Sequence, residues 1–120
     1  MKDLNETLPG IERIKLRFLD LLQSRQGAIA QCALTAWEAS DPDVVRNQLS
    51  EAQGILHQIA GSAGSLGFAS LGQIARDCEG DIIQYVSHAH QTPVPVCVEV
   101  MESLDRFVSA SQDLLQDAAQ

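Results

Sequence analysis

Apolar residues recur along this chain at steps of three and four positions, the spacing of one face of an α-helix. The first such stripe predicts one long helix, or two helices in series if the chain bends at Gly27. A short leading helix that packs across the end of a bundle fits the same pattern. The stripe comprises Ile11, Ile14, Phe18, Leu21, Leu22, Ile29, Cys32, Ala36 and Trp37.

Three further helices are predicted in the same way. Asp41 is placed to cap the second helix, and Pro42 can occupy its first position, where a missing N–H costs nothing. Residues 64–67 turn the chain back, and the Pro-Val-Pro stretch at 93–95 separates the third helix from the fourth. The three apolar stripes are Val45, Leu49, Ala52, Leu56, Ile59, Ala63 and Leu66; then Leu71, Ile74, Ala75, Cys78, Ile82, Tyr85 and Ala89; then Val96, Val100, Met101, Leu104, Phe107, Val108, Leu114 and Leu115.

These patterns predict a single all-α domain over residues 1–120. Its architecture is an antiparallel, up-down-up-down four-helix bundle with room for a short extra helix at the N-terminus. Aromatic residues make up only 4% of the chain, and we predict no strand because β-branched and aromatic runs are scarce. We expect a monomer, since a leading segment that covers the bundle end favours one.

Composition and charge exclude some classes of function and partner. The formal net charge of −8, with eight scattered Lys and Arg, argues against a nucleic-acid partner because the chain would repel phosphate backbones. No stretch approaches 18 uninterrupted apolar residues, so we expect a cytoplasmic protein without a membrane association. Three cysteines without paired close spacing predict buried, reduced thiols: Cys32, Cys78 and Cys97.

Two other groups of polar residues do not predict an active site. His88 and His90 stand two positions apart, a spacing that places them on different helical faces, and we predict no metal site. Asp77 and Glu79 are also two positions apart. On a helix such side chains diverge by about 200°, so they cannot converge on one substrate as a hydrolytic pair.

The segment around His57 is more informative, because it places glycines within what otherwise reads as one helix. Ser50, Gly54, His57, Gly61 and Gly64 share a helical face, roughly opposite or beside the apolar seam. Each interior glycine costs about 1 kcal/mol relative to alanine, so something should compensate for them. Either a partner must approach His57 closely, or the small residues permit a tight helix–helix contact.

The run from His57 to Phe68, HQIAGSAGSLGF, resembles the signature of histidine-containing phosphotransfer (HPt) domains. The resemblance extends from about Leu8 to the C-terminus. It implies a four-helix bundle that exposes a phosphorylatable histidine, here His57, in the middle of a helix. Gly61 falls on the signature glycine, and we expect Gly54, Gln58 and Gly64 to belong to the partner-binding face.

The chain departs from the family pattern at Ala60, where many members carry a lysine that helps to hold the phosphoryl oxygens. Arg76 is a candidate substitute. From His57 the chain rises about nine residues to the turn and descends a similar number to Arg76, which returns it to nearly the same level. Glu79 falls where the family often has a polar residue that hydrogen-bonds the imidazole; a solvated acidic residue is the alternative interpretation.

The resemblance implies a phosphoryl carrier rather than an enzyme. Nε2 of His57 would attack the acyl phosphate of a response-regulator aspartate and pass the group to a second regulator. The expected partners are receiver domains and a sensor or hybrid histidine kinase. We expect no cofactor, and Mg²⁺ only in the receiver. Two alternatives remain: an adaptor that docks a kinase or receiver without carrying phosphate, and a metal-binding or purely structural bundle.

Overall fold

The structure is a computed structural model that describes residues 9–88 and 96–119. Four α-helices account for nearly all of these residues: α1 (Pro9–Glu38), α2 (Pro42–Ala63), α3 (Ala69–Ser87) and α4 (Val98–Ala119). A single turn of 3-10 helix, Gly64–Leu66, follows α2 directly. The described residues contain no strand, and the all-α class predicted from the apolar periodicity is confirmed.

The N-terminus of α2 forms as the sequence predicts. Asp41 has an extended backbone, and its carboxylate accepts a hydrogen bond from the backbone N–H of Asp43 at 2.9 Å. Pro42 occupies the first turn, where its missing N–H leaves no carbonyl without a partner. These two residues fix where α2 begins, and therefore the height at which its side chains lie in the bundle.

The α2–α3 reversal depends on one glycine. Gly67 has φ +93°, a left-handed conformation that costs other residues free energy, and its N–H donates to the Gly64 carbonyl. The N–H of Phe68 reaches back to the Ala63 carbonyl at 2.8 Å. The Phe68 ring then stacks on Phe18 of α1, with ring centroids 5.2 Å apart. This tight turn makes α2 and α3 antiparallel neighbours and closes one end of the core.

The four helices form a closed bundle, in which each helix packs against the one before it and α1 also packs against α4. Side chains from all four helices fill the core, including Leu22, Leu56, Ile82 and Phe107. Two serines of α4 are buried and hydrogen-bonded across helices. Ser103 donates to Asp81 of α3, and Ser111 accepts from Gln26 of α1. These bonds set the height of α4 against both neighbours.

The first helix differs in part from expectation. The helix is unbroken from Pro9 to Glu38, so the stripe forms one long helix and not two helices in series; a separate helix before Pro9 would lie outside the described residues. Its stripe is also less buried than predicted. Ile11, Ile14 and Trp37 are 47%, 55% and 45% exposed, and Leu21 is exposed as well. With 30 residues against 22 in both α2 and α4, α1 is too long for these helices to cover in full, which accounts for the exposure of Ile11 and Ile14 near its N-terminus. Trp37, near its C-terminus, instead lines an open groove with Val98 and Met101 of α4.

Smaller differences concern the third and fourth helices. Val96 is buried as predicted, but it precedes α4, which begins at Val98. Ala89 and the Pro-Val-Pro stretch at 93–95 lie outside the described residues. Cys32 and Cys78 are buried free thiols as expected, while Cys97 is only partly buried.

Candidate functional site

His57 lies in the C-terminal half of α2, six residues before its end at Ala63, on the side next to α3. Its flanking core residues Leu56 and Ile59 are fully buried and anchor this stretch of helix. The imidazole itself projects outward, with 74% of the side chain exposed. The helix therefore presents a nucleophilic ring to solvent from a rigid and well-packed support.

One carboxylate from α3 fixes the orientation of this ring. Oε2 of Glu79 lies 2.9 Å from Nδ1 of His57, and the Glu79 side chain is only 12% exposed. A carboxylate accepts hydrogen bonds, so this contact places the ring hydrogen on Nδ1 and leaves the Nε2 lone pair free. The sequence-based candidates His57 and Glu79 are thus brought together, in contact across the two helices.

Gln53 also belongs to this cluster and was not anticipated from the sequence. Its Nε2 donates to the same Glu79 Oε2 at 2.7 Å. Gln53 stands four residues before His57, a spacing that places both side chains on one face of α2. That spacing is the signal that could have identified it.

Packing within the described residues does not require glycine at the positions beside His57. A Cβ added at Gly54, Gly61 or Gly64 would meet no atom within 4 Å. Close packing against another described helix therefore does not require glycine at any of these three positions, as the alternative interpretation supposed. A Cβ added at Gly72 of α3 would lie 3.3 Å from Ala63 Cβ, so the close α2–α3 approach depends on a different glycine.

The remaining predicted site residues are placed as follows. Gln58 is exposed, next to His57, as the expected partner-binding face requires. Ala60 is 7% exposed and forms part of the core instead of the surface. Arg76 is exposed on α3, and its guanidinium donates to Gln73 at 3.3 Å. Within the described part of the chain, no hydrogen bond or ion pair joins Arg76 to His57.

Other reactive groups are kept apart from this cluster. The Nδ1 of His88 lies 2.9 Å from the Gln84 carbonyl, and His90 is outside the described residues. Across residues 9–88 and 96–119, no group of three His, Cys, Asp or Glu side chains could hold a metal ion. Asp77 bonds Gln73 on its own helix, whereas Glu79 faces α2. The two carboxylates diverge as their spacing predicts.

None of the helices in the described residues has the length and apolar character needed to cross a membrane.

Comparison with known proteins agrees with this geometry. The family model of the Hpt domain matches residues 17–120. Searches of curated proteins and of solved structures find no match. The match covers most of the chain and includes the His57 segment, so the chain belongs to the Hpt domain family. Membership supports a role in histidine phosphotransfer within a phosphorelay, in which such domains are phosphocarrier modules that interact with receiver domains and histidine kinases.

Proposed function

We propose that this protein carries a phosphoryl group on Nε2 of His57 and relays it between aspartates of response-regulator receiver domains. The observation that supports this most directly is the contact of Glu79 with Nδ1. It leaves the outward-facing nitrogen with the lone pair, on a side chain that is 74% exposed. An incidental surface histidine would not need a partly buried carboxylate from a second helix.

The transfer forms one bond and breaks one. The Nε2 lone pair attacks phosphorus of the aspartyl phosphate in line, the N–P bond forms, and the P–O bond breaks to release the aspartate carboxylate. Positive charge develops on the imidazole during attack, and the Glu79 carboxylate stabilises it through Nδ1–H. The reverse sequence delivers the phosphoryl group to the aspartate of a second receiver.

The surface around His57 suits a protein partner. Gly54, Gly61 and Gly64 remove side chains on the same face, so the backbone and active-site residues of a receiver can come close to Nε2. The chain supplies the nucleophile and its orientation. The acyl phosphate and Mg²⁺ belong to the receiver, and so the protein acts as a carrier without independent catalytic activity and without a cofactor of its own. We place this exchange in the cytoplasm as part of the same proposal.

The deciding experiment is phosphoryl transfer from a phosphorylated receiver domain to wild-type protein and to His57→Gln. Wild type should acquire an acid-labile, base-stable label, the stability of a phosphohistidine, and His57→Gln should acquire none. His88→Gln is the matched control, since it also removes a surface imidazole, and it should be labelled like wild type.

A different result would identify the protein as an adaptor. If several phosphorylated receivers leave no label on folded wild-type protein but still bind it, the protein is an adaptor that docks receivers without carrying phosphate. The absence of lysine at Ala60 makes that alternative worth testing. If label persists on His57→Gln, His57 is not the acceptor.

A further inference from the structure

We infer that Gln53 is a positioning residue for His57 and acts through Glu79, by holding the carboxylate that sets the imidazole tautomer. This inference deepens the proposed function and rests on it for its effect on transfer. Its structural part, the control of the His57 tautomer by Gln53, can be measured whether or not His57 is phosphorylated.

Three side chains from two helices form one hydrogen-bonded cluster. Gln53 and His57 both project from α2, and Glu79 of α3 reaches between them. A single oxygen, Oε2, accepts from Gln53 Nε2 at 2.7 Å and lies 2.9 Å from His57 Nδ1. The amide orientation of Gln53 is dictated by the chemistry, because the opposite flip would set its oxygen against the carboxylate oxygen. Gln53 is therefore a donor to Glu79.

Burial explains why the second donor matters. The Glu79 side chain is 12% exposed, so water cannot fully replace a lost protein hydrogen bond. Without the Gln53 amide, the carboxylate gains by rotating outward to water. Rotation moves Oε2 away from Nδ1. The Gln53 bond thus keeps the acceptor at the one place where it fixes the ring.

The tautomer is the quantity that Gln53 controls. A neutral imidazole free in water favours the form with the hydrogen on Nε2, and that form has no lone pair at the outward-facing nitrogen. The Glu79 contact reverses this preference by holding the hydrogen on Nδ1. Loss of Gln53 should return part of the population to the unreactive tautomer and slow attack on a phosphoryl donor.

The test compares Gln53→Leu with Gln112→Leu by ¹⁵N NMR of the histidine rings at about pH 9, where histidine side chains are neutral. Leucine has a similar size and no donor, and Gln112 is an exposed glutamine on α4. Wild type and Gln112→Leu should show His57 mainly as the Nδ1–H tautomer. Gln53→Leu should show a larger Nε2–H fraction and accept phosphate about fivefold more slowly, the size expected for the net contribution of one typical hydrogen bond.

Gln53→Lys tests the same idea without removing a donor. The ammonium group keeps an N–H for Glu79, so the Nδ1–H tautomer should be retained. If Gln53→Leu does not fold, a mainly Nε2–H tautomer in folded Gln53→Lys would by itself overturn the inference. A wild-type tautomer ratio in folded Gln53→Leu would overturn the inference. So would an Nε2–H shift in Gln53→Lys as large as that in Gln53→Leu, because the effect would then not depend on the donor.

The outcome separates the two hypotheses. A tautomer shift in Gln53→Leu with no labelling of wild type would retain the positioning role and reject the carrier role. Normal labelling of wild type with no tautomer shift would do the reverse.

Discussion

Oε2 of Glu79 stands 2.9 Å from Nδ1 of His57, although the two residues are 22 positions apart in the chain. The short reversal at residues 64–68 produces this contact, because α3 descends beside α2 by about as many residues as α2 rises above His57. Any change in the length of that turn would shift Glu79 along α3 relative to the ring. The position of the site is thus determined by the turn as much as by the residues in contact.

Removal of the Glu79 acceptor should slow phosphorylation of His57. Glu79→Leu eliminates the hydrogen bond to Nδ1 and the stabilisation of positive charge on the ring. We expect a loss of about tenfold or more in the transfer rate from a phosphorylated receiver, the equivalent of about 1.4 kcal/mol or more. Glu79→Gln retains an acceptor oxygen and should lose less. Glu99→Leu, at an exposed glutamate of α4, is the control, and an equal loss in all three variants would contradict the role of Glu79.

Replacement of Gly61 by alanine should stabilise the fold, whereas a large side chain at this position should slow phosphoryl transfer. A Cβ at Gly61 meets no atom within 4 Å, so Gly61→Ala should raise the free energy of unfolding by about 0.5–1 kcal/mol. Gly61→Leu should also fold but should slow transfer from a receiver, because its side chain occupies the face beside His57. Urea titration measures the first effect, and labelling kinetics the second.

Gly27 offers a matched control for this experiment. It is an exposed glycine inside α1 whose added Cβ also meets nothing within 4 Å. Gly27→Ala should gain similar stability, and Gly27→Leu should leave transfer unchanged. Equal transfer rates in Gly61→Leu and Gly27→Leu would show that the face around His57 does not approach a partner closely.

The four-helix layout follows from the sequence because apolar spacing and capping chemistry are local signals. Asp41 and Pro42 mark the start of α2, and the stripe from Val45 to Ala63 marks its inner face. The exposure of Ile11 and Ile14, near the N-terminus of α1, could not be predicted in this way. Periodicity identifies the face of a helix that is apolar, but it does not tell where the neighbouring helices end.

The candidate site, too, could be predicted from the sequence only in part. The glycine pattern identifies the face on which His57 lies, because helical spacing alone places those residues together. The shared contact of Gln53 and His57 with one oxygen of Glu79 depends on the height of α3 against α2, to within a fraction of a helical turn. The close-approach role of Gly72 depends on the same height. Neither can be obtained from the periodicity of a single helix.

Arg76 remains the candidate for the cation missing at Ala60. Its guanidinium is exposed and, among the described residues, donates to Gln73, so we propose that it can turn toward a phosphoryl group on His57. Arg76→Ala should slow transfer by up to about fivefold, the size expected for an exposed charge interaction of about 1 kcal/mol. Arg106→Ala removes an exposed arginine from α4 and should have no such effect. Equal rates in the two variants would exclude Arg76 from the transfer step.

The buried thiols should make the fold sensitive to alkaline pH. Burial raises the pKa of Cys32 from 9.0 to about 11, with a further contribution from the Glu51 carboxylate. Burial also raises the pKa of Cys78 to about 11. Below pH 9 both thiols are protonated in the folded and unfolded states, so they do not make the free energy of unfolding depend on pH. Between pH 9 and about 11 the unfolded chain releases these protons first, and the free energy of unfolding should fall as the pH rises.

Urea titrations at a series of pH values across that window measure this decline. The double variant Cys32→Ala/Cys78→Ala should be less stable at every pH, because each alanine leaves a small cavity, but its stability should depend less steeply on pH. A residual decline is expected from Tyr85, whose pKa is also raised by burial. If the double variant lost stability with pH as steeply as wild type, the two thiols would not be the source of the alkaline sensitivity, and Tyr85 would be the next residue to replace, with phenylalanine.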